Sequence, residues 1–214
     1  MKKRNYSQFC ALAKGLDVVG ERWTLLIVRD LLLGPRRYSD FMNSLTGITT
    51  NLLSKRLKEM EALDLVEKYK LPSGHEGYRL STSGRELEAV IFAVGDWGER
   101  FLGQPDADDK LSLRWSMVAV RRRSTQIDKQ WFIQIESEHE VYQVRTGLAR
   151  YEVHHGDAWQ SDVHVTGKEM ALLALLSKRV PERELIDDGR IKIKGNPQAF
   201  DDFMAGIHVK KQPT

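Results

Sequence analysis

Apolar residues recur at helical spacing through the first hundred positions, with short polar breaks between the segments. Residues 9–19 predict a helix ending near Gly20. Residues 21–33 are apolar almost all round (Trp23, Leu25, Leu26, Ile27, Val28, Leu31, Leu32, Leu33), which predicts a buried central helix. Gly34-Pro35 ends it, because proline cannot continue the backbone ladder. Residues 38–45 predict a short third helix, and Thr46-Gly47-Ile48 a turn. Thr49 or Thr50 then caps a fourth helix running to about Leu63. At about 100° per residue, Leu53, Leu57 and Met60 share one face, and Asn51, Ser54, Lys55 and Lys58 the other.

Beyond this helix the period changes. Val66 to Leu71 and Gly77 to Leu80 alternate apolar with polar around Pro72-Ser73-Gly74-His75-Glu76, which predicts a β-hairpin. Lys68, Lys70 and Arg79 are expected on its polar side. Ser81 or Thr82 caps a long helix striped by Leu87, Val90, Ile91, Val94, Trp97 and Phe101. Residues 103–109 are rich in breakers and read as a linker. After it, residues 111–120 predict a helix, and 130–137, 141–146, 149–155 and 162–165 predict strands. Trp131, Ile133 and Ile135 alternate with Phe132, Gln134 and Glu136, as a half-buried strand requires. Residues 167–178 form an apolar helix, 181–187 a short one, 191–193 a strand, and Pro197 opens a last helix.

Composition narrows the class. Of 214 residues, 41% are hydrophobic and 29% charged, which is ordinary for a globular chain. The longest apolar runs are the seven residues 170–176 and the six residues 89–94, against about 20 for a bilayer span. The basic start lacks an apolar segment after it, so no secretory signal is expected and the chain reads as cytoplasmic. The single cysteine, Cys10, excludes an internal disulfide framework. The net charge of +3 is unevenly placed: residues 1–80 carry 14 Lys and Arg against nine Asp and Glu. That asymmetry suggests a nucleic-acid face on one domain, with a solvated charged surface as the plain alternative.

A short helix, a tight turn, a polar-faced helix and a basic hairpin are the parts of a winged helix-turn-helix. An α-helix of about 10–12 Å diameter fits the roughly 12 Å major groove. Asn51 can read an adenine edge, Lys55 a guanine edge or phosphate, and Ser54 either base or backbone. Arg36, Arg37 and the hairpin bases would hold phosphates and set the docking register. The full candidate DNA set is Arg36, Arg37, Ser39, Thr49, Thr50, Asn51, Ser54, Lys55, Arg56, Lys58, Lys68, Lys70, His75 and Arg79.

The stretches Cys10-Ala11-Leu12-Ala13, Gly20-Glu21-Arg22-Trp23-Thr24-Leu25-Leu26-Ile27-Val28-Arg29, Gly34-Pro35-Arg36-Arg37-Tyr38-Ser39-Asp40-Phe41 and Gly47-Ile48-Thr49-Thr50-Asn51-Leu52-Leu53-Ser54-Lys55-Arg56-Leu57 resemble the HxlR-type transcriptional regulators over about residues 8–101. The resemblance implies a homodimer on double-stranded DNA, with dimer contacts from the first and last helices of the domain. Leu87, Val90, Ile91, Val94, Trp97 and Phe101 would supply them; packing on the second region is the alternative. Some members of that family sense oxidants or electrophiles through a cysteine near the start, where Cys10 stands. Lys14 at i+4 could lower its thiol pKa, and a buried structural cysteine is the other reading.

Members of that family usually end soon after the long helix, and here about 110 residues follow. Val163-His164-Val165-Thr166-Gly167 and the run from Asp188-Gly189-Arg190 to Asn196-Pro197-Gln198-Ala199-Phe200 are similar to sterol-carrier-protein-type domains, over roughly residues 110–208. That similarity implies an α+β domain with a hydrophobic cavity between sheet and helices, suited to an apolar small-molecule effector. Trp115, Trp131, Phe132 and Trp159 could line such a pocket or fill a core. His154 and His155 are adjacent on a strand and face opposite ways, so no metal site is expected. Arg121-Arg122-Arg123 reads as a solvated charge run at a helix end. No nucleophile–base set or phosphate loop stands out, and neither an enzyme nor a cofactor is expected.

The expected fold is therefore α+β in class. Residues 1–102 form a winged helix-turn-helix that is mostly α with a hairpin wing, 103–109 a linker, and 110–214 a sterol-carrier-like domain. The expected function is a ligand-responsive, homodimeric DNA-binding regulator on a pseudo-palindromic operator, without membrane attachment. A small-molecule or lipid-binding protein whose helical region is only a dimerisation module is the rival.

Overall fold

The structure, a computed structural model, describes residues 5–156 and 160–208. The chain divides into two compact units, residues 1–102 and 103–214. None of its described helices is long and apolar enough to cross a membrane.

The first unit runs α1 (Ala11–Val19), α2 (Thr24–Leu31), α3 (Tyr38–Ser44), α4 (Thr50–Ala62), β1 (Val66–Lys70), β2 (Glu76–Leu80), α5 (Thr82–Glu86) and α6 (Glu88–Gly98), then a 3₁₀ turn over Glu99–Phe101. Its core joins Ile27, Val28 and Leu31 of α2, Phe41 of α3, Leu53, Leu57 and Met60 of α4, and Val66 and Leu80 of the hairpin. Helix α2 is shorter than its apolar run, because Trp23 takes a left-handed φ of 80° that buries the indole and delays the helix. The long helix expected after Ser81 is two helices. Ser81 caps α5 by accepting the Gly84 N–H, and the Leu87 N–H closes that helix on Gly84. Gly84 packs so tightly that a Cβ there would overlap the Leu65 carbonyl oxygen, which pins α5 to the base of the hairpin.

The second unit runs α7 (Leu113–Arg123), β3 (Phe132–Glu136), β4 (Val141–Arg145), β5 (Glu152–His155), β6 (Val163–Gly167), α8 (Glu169–Ser177), α9 (Glu182–Asp187), β7 (Ile191–Gly195) and α10 (Pro197–Ala205). The strands form one sheet in the order β5-β4-β3-β6-β7, antiparallel except for the parallel β3–β6 pair. Strand alternation sends Ile133, Ile135, Tyr142, Val144, Val153, Val163 and Val165 to one face, where all are buried. Contacts link α7 to β5, α8 to β6, and α10 to β3 and β6. These helices contribute buried Leu113, Met117, Leu172, Leu175 and Phe203. The Tyr151 ring stacks on Phe203 at 5.7 Å, and its hydroxyl donates to the Phe203 carbonyl at 3.1 Å.

Helix α7 ends with the arginine run, as expected, with Arg121 and Arg123 partly exposed; the solvated reading is corrected at Arg122 alone. Arg122 falls one turn after Val118 on the buried side and is only 9% exposed. Its carbonyl accepts the Arg150 guanidinium at 2.5 Å.

Candidate nucleic-acid interface

In the first unit, α3 and α4 meet through a turn at Gly47, whose φ of 87° suits a residue without a side chain. Ile48 is buried beneath that turn. Thr49 caps α4, its hydroxyl accepting the Leu52 N–H at 3.3 Å. The Tyr38 hydroxyl ties the two helices together, donating to the Thr50 carbonyl at 2.7 Å and lying 3.0 Å from the Ser54 hydroxyl. Tyr38 was not among the residues singled out from sequence, and only the helix pairing exposes its positioning role. Arg37 precedes α3 and is held by Asp40, which accepts its N–H at 2.9 Å and its guanidinium at 3.1 Å. Burial pushes the Asp40 carboxyl up, but the Arg37 N–H and guanidinium outweigh it, with Arg36 adding, and the carboxyl is held below its ordinary value.

The exposed face of α4 carries Thr50, Asn51, Ser54, Lys55 and Lys58, with Ser39 and Thr49 exposed beside it. The Lys55 ammonium lies 3.9 Å from Glu59. Arg56 does not join this face. It is 6% exposed, and its guanidinium is taken by Glu59 at 2.6 Å and Glu21 at 3.0 Å. Position 56 follows Leu53 by three and precedes Met60 by four, so helical geometry turns it toward the apolar side.

The hairpin forms the wing. Arg36 pairs by backbone with Tyr78, donating at 2.9 Å and accepting at 2.8 Å, an isolated bridge that ties the chain before α3 to β2. Lys68 and Lys70 are exposed at alternate positions of β1, and His75 is exposed at the tip, its Nδ1 lying 3.2 Å from the Ser73 hydroxyl. Arg79 corrects the expectation of a shared basic side. The register sets it opposite Glu67, which accepts its Nε at 2.6 Å, and its guanidinium lies 4.7 Å over the Tyr69 ring. Strand alternation puts this trio on the opposite side from Lys68 and Lys70.

The apolar stripe also divides. Leu87 and Ile91 pack on the unit's own core. Val90, Val94, Trp97 and Phe101 stay 39%, 50%, 58% and 67% exposed, and so do Phe9, Leu12 and Leu16 around α1. Cys10 is exposed at the start of α1, and the ammonium of Lys14 lies 3.7 Å from Asp17.

In the second unit an open cavity of about 660 Å³ lies over β3, β4 and β5, lined by Gln130, Phe132, Ile133, Gln143, Val144, Arg145, Glu152, His154, Gln160 and Asp162. Of the four aromatic candidates, Phe132 lines it. Trp131 is buried and donates its indole N–H to Asp202 at 2.8 Å, and Trp115 on α7 is half-buried. Trp159 lies outside the described residues. His154 and His155 do point apart: His155 packs on Tyr142 at 5.3 Å, and His154 lines the cavity.

Two helices joined by a tight turn, a two-stranded wing and a polar exposed face on the second helix define a winged helix-turn-helix. A profile described as HxlR-like helix-turn-helix matches residues 18–106, and one of the SCP-2 sterol transfer family matches residues 119–207. An HTH-type transcriptional regulator of Mycobacterium tuberculosis H37Rv is 39% identical over 99 residues, 45% of this chain and 61% of its own length. The regulator YdeP of Bacillus subtilis is 33% identical over 104 residues, 48% of this chain and 79% of its own. The solved reduced form of the B. subtilis transcriptional regulator YodB is 29% identical, covering 46% of this chain and 100% of that one, with a TM-score of 0.38. The chain belongs to the HxlR-like helix-turn-helix family, and it spans about three fifths of the length of the mycobacterial relatives it matches.

Proposed function

We propose that this chain is a DNA-binding transcriptional regulator acting as a homodimer on a pseudo-palindromic operator. The observation that carries the reading is the exposed face of α4, where Asn51, Lys55 and Lys58 stand clear of the core on a helix locked to α3. Asn51 reads a base edge, Lys55 a base or phosphate, and Arg36, Arg37, Lys68 and Lys70 hold the backbone around it. The exposed apolar groups of α1 and α6 support a second copy as partner, spacing two α4 helices about 34 Å apart on successive major grooves. The second unit serves as the effector module, and a ligand bound there shifts operator affinity by about 1–3 kcal/mol.

Fluorescence anisotropy with the protein's own upstream DNA and a scrambled duplex, across a salt series, tests this reading. Tight binding to one duplex, weakened by about 1–3 kcal/mol in Asn51→Ala and in Lys55→Ala, is the expected result. Equal, weak and steeply salt-dependent binding to both duplexes, and to tiled fragments of the neighbouring DNA, overturns it in favour of the carrier reading.

A further inference from the structure

The cavity of the second unit lies on the side of the sheet away from its packed helices. The strand register lays out its floor as a grid. Phe132 pairs with Arg145 and Arg145 with Glu152; one step along, Gln143 pairs with His154. These side chains alternate with the buried set of Ile133, Val144 and Val153, so they rise from the opposite face. The helix-covered face is filled by residues at or near zero exposure, whereas Phe132 is 42% exposed among amides and charged groups.

We propose that this cavity binds a small aromatic molecule bearing an anionic group, its ring on Phe132 and its anion against Arg145. The proposal rests on the reading of the second unit as an effector module and names the chemistry that module takes. A volume of about 660 Å³ is the size of a small-molecule site. A long acyl chain or a sterol would strip water from Gln143, Arg145, Glu152 and His154 without replacing their hydrogen bonds.

The preference for an anion follows from how the acids are engaged. Glu152 accepts the Arg145 guanidinium at 2.7 Å, and Asp162 accepts the Phe132 N–H at 2.8 Å. The Nε of Arg145 is shielded from water and has no hydrogen-bond partner among the described residues, which leaves one guanidinium N–H of this row unanswered. Around His154, burial is the main cause that holds the imidazole below its ordinary pKa, with Arg121 and Arg145 adding to it and Glu152 opposing it. An aromatic carboxylate meets both demands, stacking on the phenyl ring and accepting from the guanidinium.

The test is NMR titration of the full chain with benzoate, 2-naphthoate and, separately, oleate. The expected result is a saturable shift of the His154 imidazole and Gln143 side-chain amide signals with 2-naphthoate. Its affinity should fall by about tenfold or more in both Phe132→Ser and Arg145→Gln, each checked for an unchanged thermal transition. No shift with either carboxylate at millimolar concentration overturns the site. So does a shift equal in both variants, or an oleate response centred on Tyr142 and Phe203. Saturable 2-naphthoate binding that leaves operator affinity unchanged upholds the site and overturns the effector reading alone.

Discussion

The two units bury their apolar residues in opposite ways. The second closes them between one sheet face and α7, α8 and α10, and among its described residues only Leu111, Phe132 and Met170 are large, apolar and exposed. The first leaves such residues along both ends of its fold, on α1 and on α6 through Phe101. A unit of about 100 residues has little interior, and helices at its margin have nothing of their own chain to cover their outer faces. Large exposed apolar patches mark interaction surfaces. The contrast fits the proposal that a second copy covers the first unit's exposed apolar faces, whereas the second unit closes its apolar residues within itself and offers an open cavity instead.

The sharpest way to break that contrast is to charge the exposed stripe. The double variant Val94→Asp/Trp97→Asp is expected to be monomeric by light scattering, with operator affinity down by about 100-fold or more, because the two reading helices no longer share one binding event. Met170→Asp, equally exposed but on the second unit, should change neither quantity. A dimer that survives the first change has its interface elsewhere.

Next in size is Gly84→Ala. A Cβ at this position overlaps the Leu65 carbonyl, so α5 must move off the hairpin base at a cost of about 3 kcal/mol. Calorimetry should show the first unit's transition falling by roughly 12 °C or more while the second unit's stays in place. A common shift of both would mean that the two units unfold as one.

Arg56→Gln and Lys58→Ala separate fold from recognition within α4. Arg56 bridges Glu21 and Glu59 from a nearly buried position, and its loss should cost about 1–3 kcal/mol of stability. Lys58 is exposed, so its loss should leave stability within about 0.5 kcal/mol and reduce the salt slope of operator binding by about one. Equal salt slopes in the two variants would return Arg56 to the DNA face.

The smallest effect is a pH dependence confined to the second unit. His154 has its imidazole pKa lowered in the fold, so the unfolded chain binds the proton more readily. Stability from this group is therefore complete above the ordinary value of 6.5 and is lost as pH falls through it. Thermal melts of wild type and His154→Gln between pH 7.5 and pH 5 should converge in shape only if another group carries the effect.

Much of α4 was legible in the sequence because helical periodicity is local. Leu53, Leu57 and Met60 are inside, and Asn51, Ser54, Lys55 and Lys58 outside, as their spacing predicts. The same arithmetic turns Arg56 inward, and the acid three residues later that holds it was also visible. Arg79 was not legible in this way. Its face depends on which residue of β1 stands opposite it, and the register across the hairpin settles that. Leu87 and Ile91 share a stripe with Val90 and Val94, and a stripe does not say which of its edges finds the core.

The sequence by itself determined the order of the elements apart from the break between α5 and α6, the two regions, the polar face of α4 and the alternation of β3, because each follows from periodicity within a few residues. Only the tertiary structure decided which arginines are occupied, where the apolar stripe stays open, and that Phe132, Arg145 and His154 meet over one cavity. Those outcomes join residues from separate strands and helices, and nothing short of their pairing brings them within contact distance.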